Sequence, residues 1–204
     1  LAYPVLKRYN MPATIFLIAG YDQQFPPDEV HPRLSWDEMR EMEKSGLIDI
    51  QAHTYDLHRR VYTDRDKSRR KPAVTARAYL FAEERLETEK EYEERLYGDF
   101  IKARSAIETK LNKNNVDTMA WPFGAYNDSS VRLARKAGFK YFVTTNVGLN
   151  KHGNGVESIR RISVEDDSAM DEFAKLLEPD YFYIKYFRQV ATSHIKRIAV
   201  SYLL

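Results

Sequence analysis

Two of the five histidines in this chain, His53 and His58, lie close together in the stretch QAHTYDLH. They follow the apolar run 47–52, which is typical of a buried β-strand. In α/β proteins, functional groups gather where parallel strands end at their carboxyl side. Their spacing fits neither one helix face nor one strand face, so we expect one histidine at the strand tip and one returned by a turn. The residues alone leave two interpretations open: ligands of a metal ion, or polar groups that cap a loop.

The segment WPFGAYN, residues 121–127, also follows a predicted strand and leads into a predicted helix. Pro122 sets the entry to the turn, and Gly124 permits close approach of the backbone, so N–H groups could point into a cleft. A metal that activates water beside such donors suits the hydrolysis of an amide or ester. Taken alone, the segment is also an ordinary strand-to-helix turn.

Composition narrows the classes of protein to consider. A chain of 204 residues with 43% hydrophobic and 30% charged residues is ordinary for one globular domain. The net charge of +2 is too small to favour nucleic acid, and no apolar run is long enough to span a bilayer. Because cysteine is absent, any metal must be held by histidine and carboxylate.

Apolar runs alternate with helical patterns, which predicts a βα architecture with parallel strands. The run 13–19 suits a strand that is buried on both faces. Two capping boxes, Ser35 with Glu38 and Thr88 with Glu91, predict helix starts. The predicted strands are 13–19, 47–52, 118–121, 141–145 and 161–164, and the predicted helices are 1–10, 35–46, 88–111, 127–138 and 168–177.

Residues 59–75 carry seven basic side chains among few apolar groups. They predict either a solvated loop or a contact surface for an anionic polymer or lipid headgroup. The last residues, 197–204, have the composition of a strand.

Taken together and in this order, these segments resemble the polysaccharide deacetylase family with the NodB-homology domain (carbohydrate esterase family four). The likeness is greatest to the poly-N-acetylglucosamine deacetylases of biofilm systems. It is carried by AYPVLKRYNMPATIFLIAG, by LSWDEMREMEKSGLIDIQAHTYDLH, and by WPFGAYN, where Trp stands at the position that usually holds Arg. It extends through 134–139 and 144–145 to about residue 177.

The resemblance implies an α/β fold, a distorted (β/α) barrel, with residues 1–178 as the deacetylase domain and 179–204 as a C-terminal extension. It implies that His53 and His58 are two ligands of a divalent metal, with zinc as the first candidate.

Two further roles are implied for the WPFG segment. Phe123 stands where the family usually has Tyr, whose backbone N–H serves the oxyanion hole, and a backbone role survives this substitution. Trp121 would line the sugar groove, with a place in the core as the alternative.

One family motif has no match in this chain. A strand ending in paired aspartates supplies the general base and a third ligand, and we expect it to precede Leu1 in the complete protein. Asp22 and Asp56 are available carboxylates, but neither stands at the matching position. His152 is the only downstream candidate for the general acid before the tail that follows Pro179. A barrel without that first strand needs its gap covered, and the tail 198–204 is predicted to pack there.

The expected function is therefore metal-dependent removal of N-acetyl groups from an N-acetylglucosamine polymer, outside the cytoplasmic membrane. The expected partner is the polysaccharide, with peripheral contact to the cell envelope, no nucleic acid, and a monomeric state. Two alternatives stay open: a non-catalytic carbohydrate-binding relative, and a metal amidohydrolase that acts on a small molecule.

Overall fold

A computed structural model describes residues 2–20, 34–148, 150, 158–161 and 175. Within these residues the chain alternates strands and helices, as the apolar periodicity predicts. The helices are α1 (Ala2–Tyr9), α2 (Trp36–Lys44), α3 (Glu89–Leu111) and α4 (Asp128–Lys136), with a 3₁₀ turn at Pro122–Gly124. The strands are β1 (Ala13–Leu17), β2 (Ile48–Ala52), β3 (Arg60–Tyr62), β4 (Arg70–Pro72), β5 (Tyr79–Leu80), β6 (Arg85–Leu86), β7 (Thr118–Ala120) and β8 (Tyr141–Val143).

Four strands form a parallel sheet in the order β1-β2-β7-β8. The predicted α/β class is confirmed. Closure into a barrel is not seen among the described strands and stays a prediction. The expectation that β1 is buried on both faces is wrong, since its residues are half-buried or exposed. The physical reason is its position at the edge of the described sheet, where it pairs with β2 alone.

The helices begin where the capping residues predict. Ser35 with Glu38 and Thr88 with Glu91 form complete capping boxes, and Asn127 caps α4 by accepting the Ser130 N–H. The apolar stripe of α3 is buried, as its spacing predicts, at Tyr92, Leu96, Phe100, Ala103, Ile107 and Leu111. This stripe packs into the hydrophobic core together with the central strands.

Residues 59–75, the basic segment, form ordered strands and not the solvated loop that was one of the two predictions for them. Strands β3 and β4 pair as one antiparallel hairpin, and β5 and β6 pair as a second. Val61 of the first hairpin is buried, while Arg60 and Arg70 are exposed. The alternation of a strand therefore sorts the apolar side chains of this segment from its charges.

The chain divides into two compact units, one of Leu1–Thr144 with Val156–Ser158 and the other of Thr145–Gly155 with Ile159–Leu204. In the second unit, Asn150 accepts the Arg160 N–H at 2.9 Å and donates to the Arg160 carbonyl at 3.0 Å. The predicted elements at 161–164 and 168–177, the boundary at residue 178 and the tail 198–204 lie outside the described residues, apart from Arg161 and Lys175. None of the described helices combines the length and the apolar character that crossing a membrane requires.

Candidate active site

The carboxyl ends of β2 and β7 meet at one edge of the sheet, and this places His53 beside the WPFG turn. The two strands are parallel neighbours, with Ala52 opposite Met119. The His53 N–H donates to the Leu17 carbonyl at 2.8 Å, and its Nδ1 lies 2.7 Å from the Ala120 carbonyl oxygen. A carbonyl oxygen can only accept, so Nδ1 carries the proton and the lone pair of the neutral ring is on Nε2. An orienting hydrogen bond of this kind is usual for a histidine that binds a metal.

His58 returns to His53 after a turn, as the spacing of the two residues predicts. The two imidazole centroids are 4.9 Å apart. Zn–N bonds of about 2.0–2.1 Å in a tetrahedral site place two ligating imidazole centroids roughly 5 Å apart. The observed separation therefore fits two ligands of one ion.

No third ligand accompanies this pair in the part of the chain that the structure describes, where no group of three or more His, Cys, Asp or Glu side chains could hold a metal. Asp56 instead pairs with Arg59 at 3.2 Å. Asp22 and His152 lie outside the described residues, so their assignment as candidates stays a prediction.

A buried carboxylate on α3 holds the loop between the two histidines. Asp99 is 8% exposed, and its two oxygens accept the N–H groups of Tyr55 at 2.9 Å and of Asp56 at 2.7 Å. Burial raises the pKa of Asp99 to about 6, although the two hydrogen bonds act to lower it. Asp99 therefore ties the histidine loop, residues 53–58, to the longest helix.

Sequence reasoning missed Asp99, but a signal for it exists. The positions 92, 96, 99 and 103 follow the spacings of the buried stripe of α3, so Asp99 stands as the single acidic residue on an apolar face. Such a carboxylate is retained in a core only when hydrogen bonds satisfy it.

Two further features shape the histidine loop. Thr54 is fully buried with φ +70°, a conformation that a β-branched residue rarely adopts, and its hydroxyl accepts the Leu57 N–H at 3.2 Å. Gly20 donates its N–H to the Tyr55 carbonyl at 2.9 Å, and a Cβ at Gly20 would lie 2.6 Å from that oxygen. The close approach of the segment after β1 to this loop therefore requires glycine at position 20.

The WPFG turn brings Phe123 against His58. Their rings stack with centroids 4.5 Å apart, and the Phe123 side chain is 42% exposed. Phe123 adopts φ +57° and Gly124 φ +66°, so two successive residues are left-handed. Backbone strain of this type is common at functional sites. The turn's own hydrogen bonds use the N–H groups of Gly124 and Ala125, and the Phe123 N–H has no acceptor within the described residues.

Trp121 lies in the core, and the expectation that it lines a sugar groove needs correction. The residue is 1% exposed and its ring stacks on Phe142 at 5.1 Å and on Tyr126 at 6.0 Å. The physical reason is its position directly after the central strand β7, where the rings of Phe100, Tyr126 and Phe142 pack around it. Its indole N–H is buried and has no partner within the described residues, so an oxygen acceptor from elsewhere would satisfy it.

Comparisons with known proteins agree with the family that the sequence resembles. A family model described as "Polysaccharide deacetylase" matches residues 1–142. The Escherichia coli (strain K12) protein named poly-beta-1,6-N-acetyl-D-glucosamine N-deacetylase is 28% identical over 182 residues, which cover 85% of this chain and 27% of that protein. The protein of the same name from Staphylococcus aureus (strain N315) is 30% identical over 170 residues, covering 82% of this chain and 50% of that protein. The chain thus spans half or less of the length of these two relatives.

Two solved structures share this fold. The de-N-acetylase from Aggregatibacter actinomycetemcomitans superposes with a TM-score of 0.74 at 30% identity, covering 87% of this chain and 69% of that one. The BpsB deacetylase domain from Bordetella bronchiseptica gives a TM-score of 0.70 at 26% identity, covering 78% of this chain and 64% of that one.

Proposed function

Because the chain belongs to the polysaccharide deacetylase family, we propose that it removes N-acetyl groups from an N-acetylglucosamine polymer by hydrolysis. The reaction adds water across the amide bond, releases acetate and leaves a free amine. The names of the relatives from Escherichia coli and Staphylococcus aureus support a β-1,6-linked polymer as substrate. Such a polymer lies outside the cytoplasmic membrane, so this location is part of the proposal.

The observation that carries this proposal is the histidine pair. Two imidazoles 4.9 Å apart, one of them oriented by the Ala120 carbonyl, form a donor set suited to a divalent metal, with zinc as the first candidate. When bound, a metal of this kind supplies a Lewis acid that polarises the amide carbonyl and lowers the pKa of water.

The remaining contributions come from the chain's own groups. The Ala120 carbonyl holds the proton of His53 on Nδ1, and Asp99 fixes the loop that returns His58. The Phe123 ring stacks on His58, and the backbone N–H of Phe123 is the proposed donor to the oxyanion that develops on the acetyl group. The buried indole N–H of Trp121 is suited to orient an acceptor at the same edge of the sheet.

The experiment that tests the proposal measures acetate release by the full-length protein from a β-1,6-linked N-acetylglucosamine oligomer, together with metal content. Replacing His53 or His58 with Ala should reduce metal affinity by at least the ~10–100-fold that loss of a mere orienting partner costs. Acetate release should fall with it. Lys102→Ala, on the exposed face of α3, is the control and should match the wild type. Full metal retention in both histidine variants would reject the metal assignment.

A second candidate function is carbohydrate binding without catalysis. It is favoured by the partly exposed Phe123 ring with the Arg60 guanidinium 5.2 Å from its centroid, because a ring and a cation can hold a sugar without any reaction. In that case the oligomer should bind to the zinc-loaded protein without any release of acetate. We also propose that the protein is a monomer, which light scattering can check. A peripheral contact of the β3–β4 hairpin with the cell envelope can be checked by vesicle sedimentation.

A further inference from the structure

A continuous row of aromatic and cationic side chains leads away from the histidine pair. In the first hairpin, Arg60 faces Pro72 and Tyr62 faces Arg70 across the two strands. Since side chains alternate along a strand, Arg60, Tyr62 and Arg70 share one face, while the intervening Val61 is buried on the other. This face is therefore directed outward.

The row is anchored at both ends by exposed aromatic rings. At the end near the site, the Arg60 guanidinium lies 5.2 Å from the centroid of the Phe123 ring, which stacks on His58. At the far end, the Tyr62 ring meets Phe81 edge-on at 6.0 Å, and Phe81 is 43% exposed. We call this surface the aromatic–cationic strip, and it consists of Phe123, Arg60, Tyr62, Arg70, Phe81 and Lys67.

The cations of the strip lie over rings and not beside carboxylates. Arg70 is 5.1 Å from the Tyr62 centroid and Lys67 is 4.7 Å from the Phe81 centroid. Within the described part of the chain, neither these two nor Arg60 forms an ion pair. By contrast, the neighbouring Arg65 and Arg69 pair with Glu84 and Asp64. The positive charge of these hairpins is thus left uncompensated along the strip.

The exposed aromatic rings and the uncompensated cations of the strip together select one type of sugar unit. Aromatic faces pack against the apolar C–H faces of a sugar ring, and guanidinium groups donate to hydroxyl and amide carbonyl oxygens. A unit that keeps its acetyl group is neutral and satisfies both requirements. A deacetylated unit carries an ammonium group, which three nearby cations repel.

Resting on the proposed function, we propose that the strip binds N-acetylated units of the same polymer, next to the unit at the histidine pair, and disfavours units that carry free amines. A new turnover then requires acetylated neighbours. The free amines should accordingly be dispersed along the product and not grouped in blocks.

The test is direct binding, measured by titration calorimetry with the full chain at pH 6 in low salt. The probes are a β-1,6-linked N-acetylglucosamine hexamer and the same hexamer fully deacetylated, with EDTA present and acetate followed as a check. One repulsive charge pair in water changes binding by about fivefold, so the acetylated hexamer should bind about fivefold or more tightly. High salt should reduce this preference by screening.

Matched variants decide whether the strip is responsible. The double change Arg60→Gln/Arg70→Gln should remove most of the preference, and Tyr62→Ala should weaken binding of the acetylated hexamer. Lys71→Gln/Arg77→Gln removes the same charge from exposed positions outside the strip, with Lys71 opposite Val61 on the other face of the hairpin, and should keep the preference. Circular dichroism checks that each variant is folded.

Three results would overturn the proposal. These are equal or tighter binding of the deacetylated hexamer to the wild type, an undiminished preference in the Arg60→Gln/Arg70→Gln variant, and tighter binding of polyphosphate or anionic vesicles than of the acetylated hexamer. The last result would assign the strip to an anionic ligand. If the hexamers show the preference but the full-length protein with added zinc releases no acetate, the strip is supported and the deacetylase function is rejected. If the full-length protein releases acetate and no preference is found, the deacetylase function is supported and the strip is rejected.

Discussion

The histidine loop and the two hairpins that follow it are neighbours in sequence, but they are held by different physical means. The loop 53–58 is held from inside, where Asp99 accepts two of its N–H groups, Thr54 is fully buried and Leu57 is 1% exposed. The tips of the hairpins are held at the surface. There Arg65 meets Glu84 at 3.5 Å with both side chains largely exposed.

This difference separates the parts that must be rigid from the parts that must be accessible. A metal site needs donor groups fixed within a fraction of an ångström, and buried hydrogen bonds provide this because water cannot compete for them. A surface that binds a polymer needs exposed rings and cations, and exposed ion pairs contribute little stability. Substitutions in the two regions should therefore differ in the free energy of unfolding.

The largest effect is expected at the base of the hairpins, where the buried Glu87 and the half-buried Arg95 form an ion pair that joins the hairpins to α3. Arg95 forms two hydrogen bonds to Glu87, at 2.7 and 2.8 Å, and also donates to the carbonyls of Ala73 and Ala76. Arg95→Ala leaves a buried carboxylate, so it should lower the free energy of unfolding by about 3–5 kcal/mol in urea denaturation. The control Arg85→Ala, which breaks an exposed pair with Glu91, should stay close to the wild type. Equal losses in the two variants would contradict the distinction between the buried base and the exposed tips.

The next effect is expected at Asp99. Asp99→Ala leaves the N–H groups of Tyr55 and Asp56 without their acceptor, which should cost about 1–3 kcal/mol of stability. Because the loop that carries His58 is then less well fixed, zinc affinity should also fall, by roughly 10–100-fold. Asp66→Ala on the exposed hairpin is the matched control. A destabilised Asp99 variant with undiminished zinc affinity would show that Asp99 supports the fold alone.

Asp99 should also make stability depend on pH. Burial raises its pKa from 3.8 to about 6, so between these values the folded state binds more protons than the unfolded chain. The contribution of Asp99 to stability should therefore fall as the pH rises through this window, and level off above about pH 6. Urea denaturation at several pH values gives the free energy of unfolding of the wild type and of Asp99→Asn. The difference between these two free energies is the contribution of Asp99. A difference that rises with pH would contradict the assignment.

A much smaller effect is expected for Arg65→Ala at the tip of the hairpins. Its exposed pair with Glu84 should contribute about 0–1 kcal/mol. Thermal denaturation at low and high salt provides the measurement, and the small difference should shrink further in high salt. A loss comparable to that of Arg95→Ala would remove the contrast between the regions.

The smallest effect is expected at Phe123, where the two regions meet. Its proposed contribution to catalysis is the backbone N–H, and its ring is partly exposed, so Phe123→Tyr should leave acetate release close to the wild-type value. Phe123→Pro would remove this N–H, but it is not a usable test. The φ of proline, about −65°, is incompatible with the φ of +57° at this position, so the turn itself would change. A large loss of acetate release in a folded Phe123→Tyr variant would assign the function to the ring.

The sequence by itself determined the features that depend on neighbours within about one helical turn. The capping boxes at Ser35 and Thr88, the buried stripe of α3 and the strands that precede His53 and Trp121 all follow from local spacing. The separation of the two histidines likewise indicated a strand tip and a returning turn. These predictions hold because caps and periodicity are local physical constraints.

Only the tertiary structure decided what depends on distant residues. Asp99 meets Tyr55 across 44 positions, and Trp121 is buried because of what packs around it and not because of its own neighbours in sequence. The short, charged strands β3 to β6 carry no strong local signal, since they are stabilised by pairing with one another and by the buried contact of Glu87 with Arg95. Burial and long-range pairing arise only when the whole sheet assembles, and for this reason no local pattern specifies them.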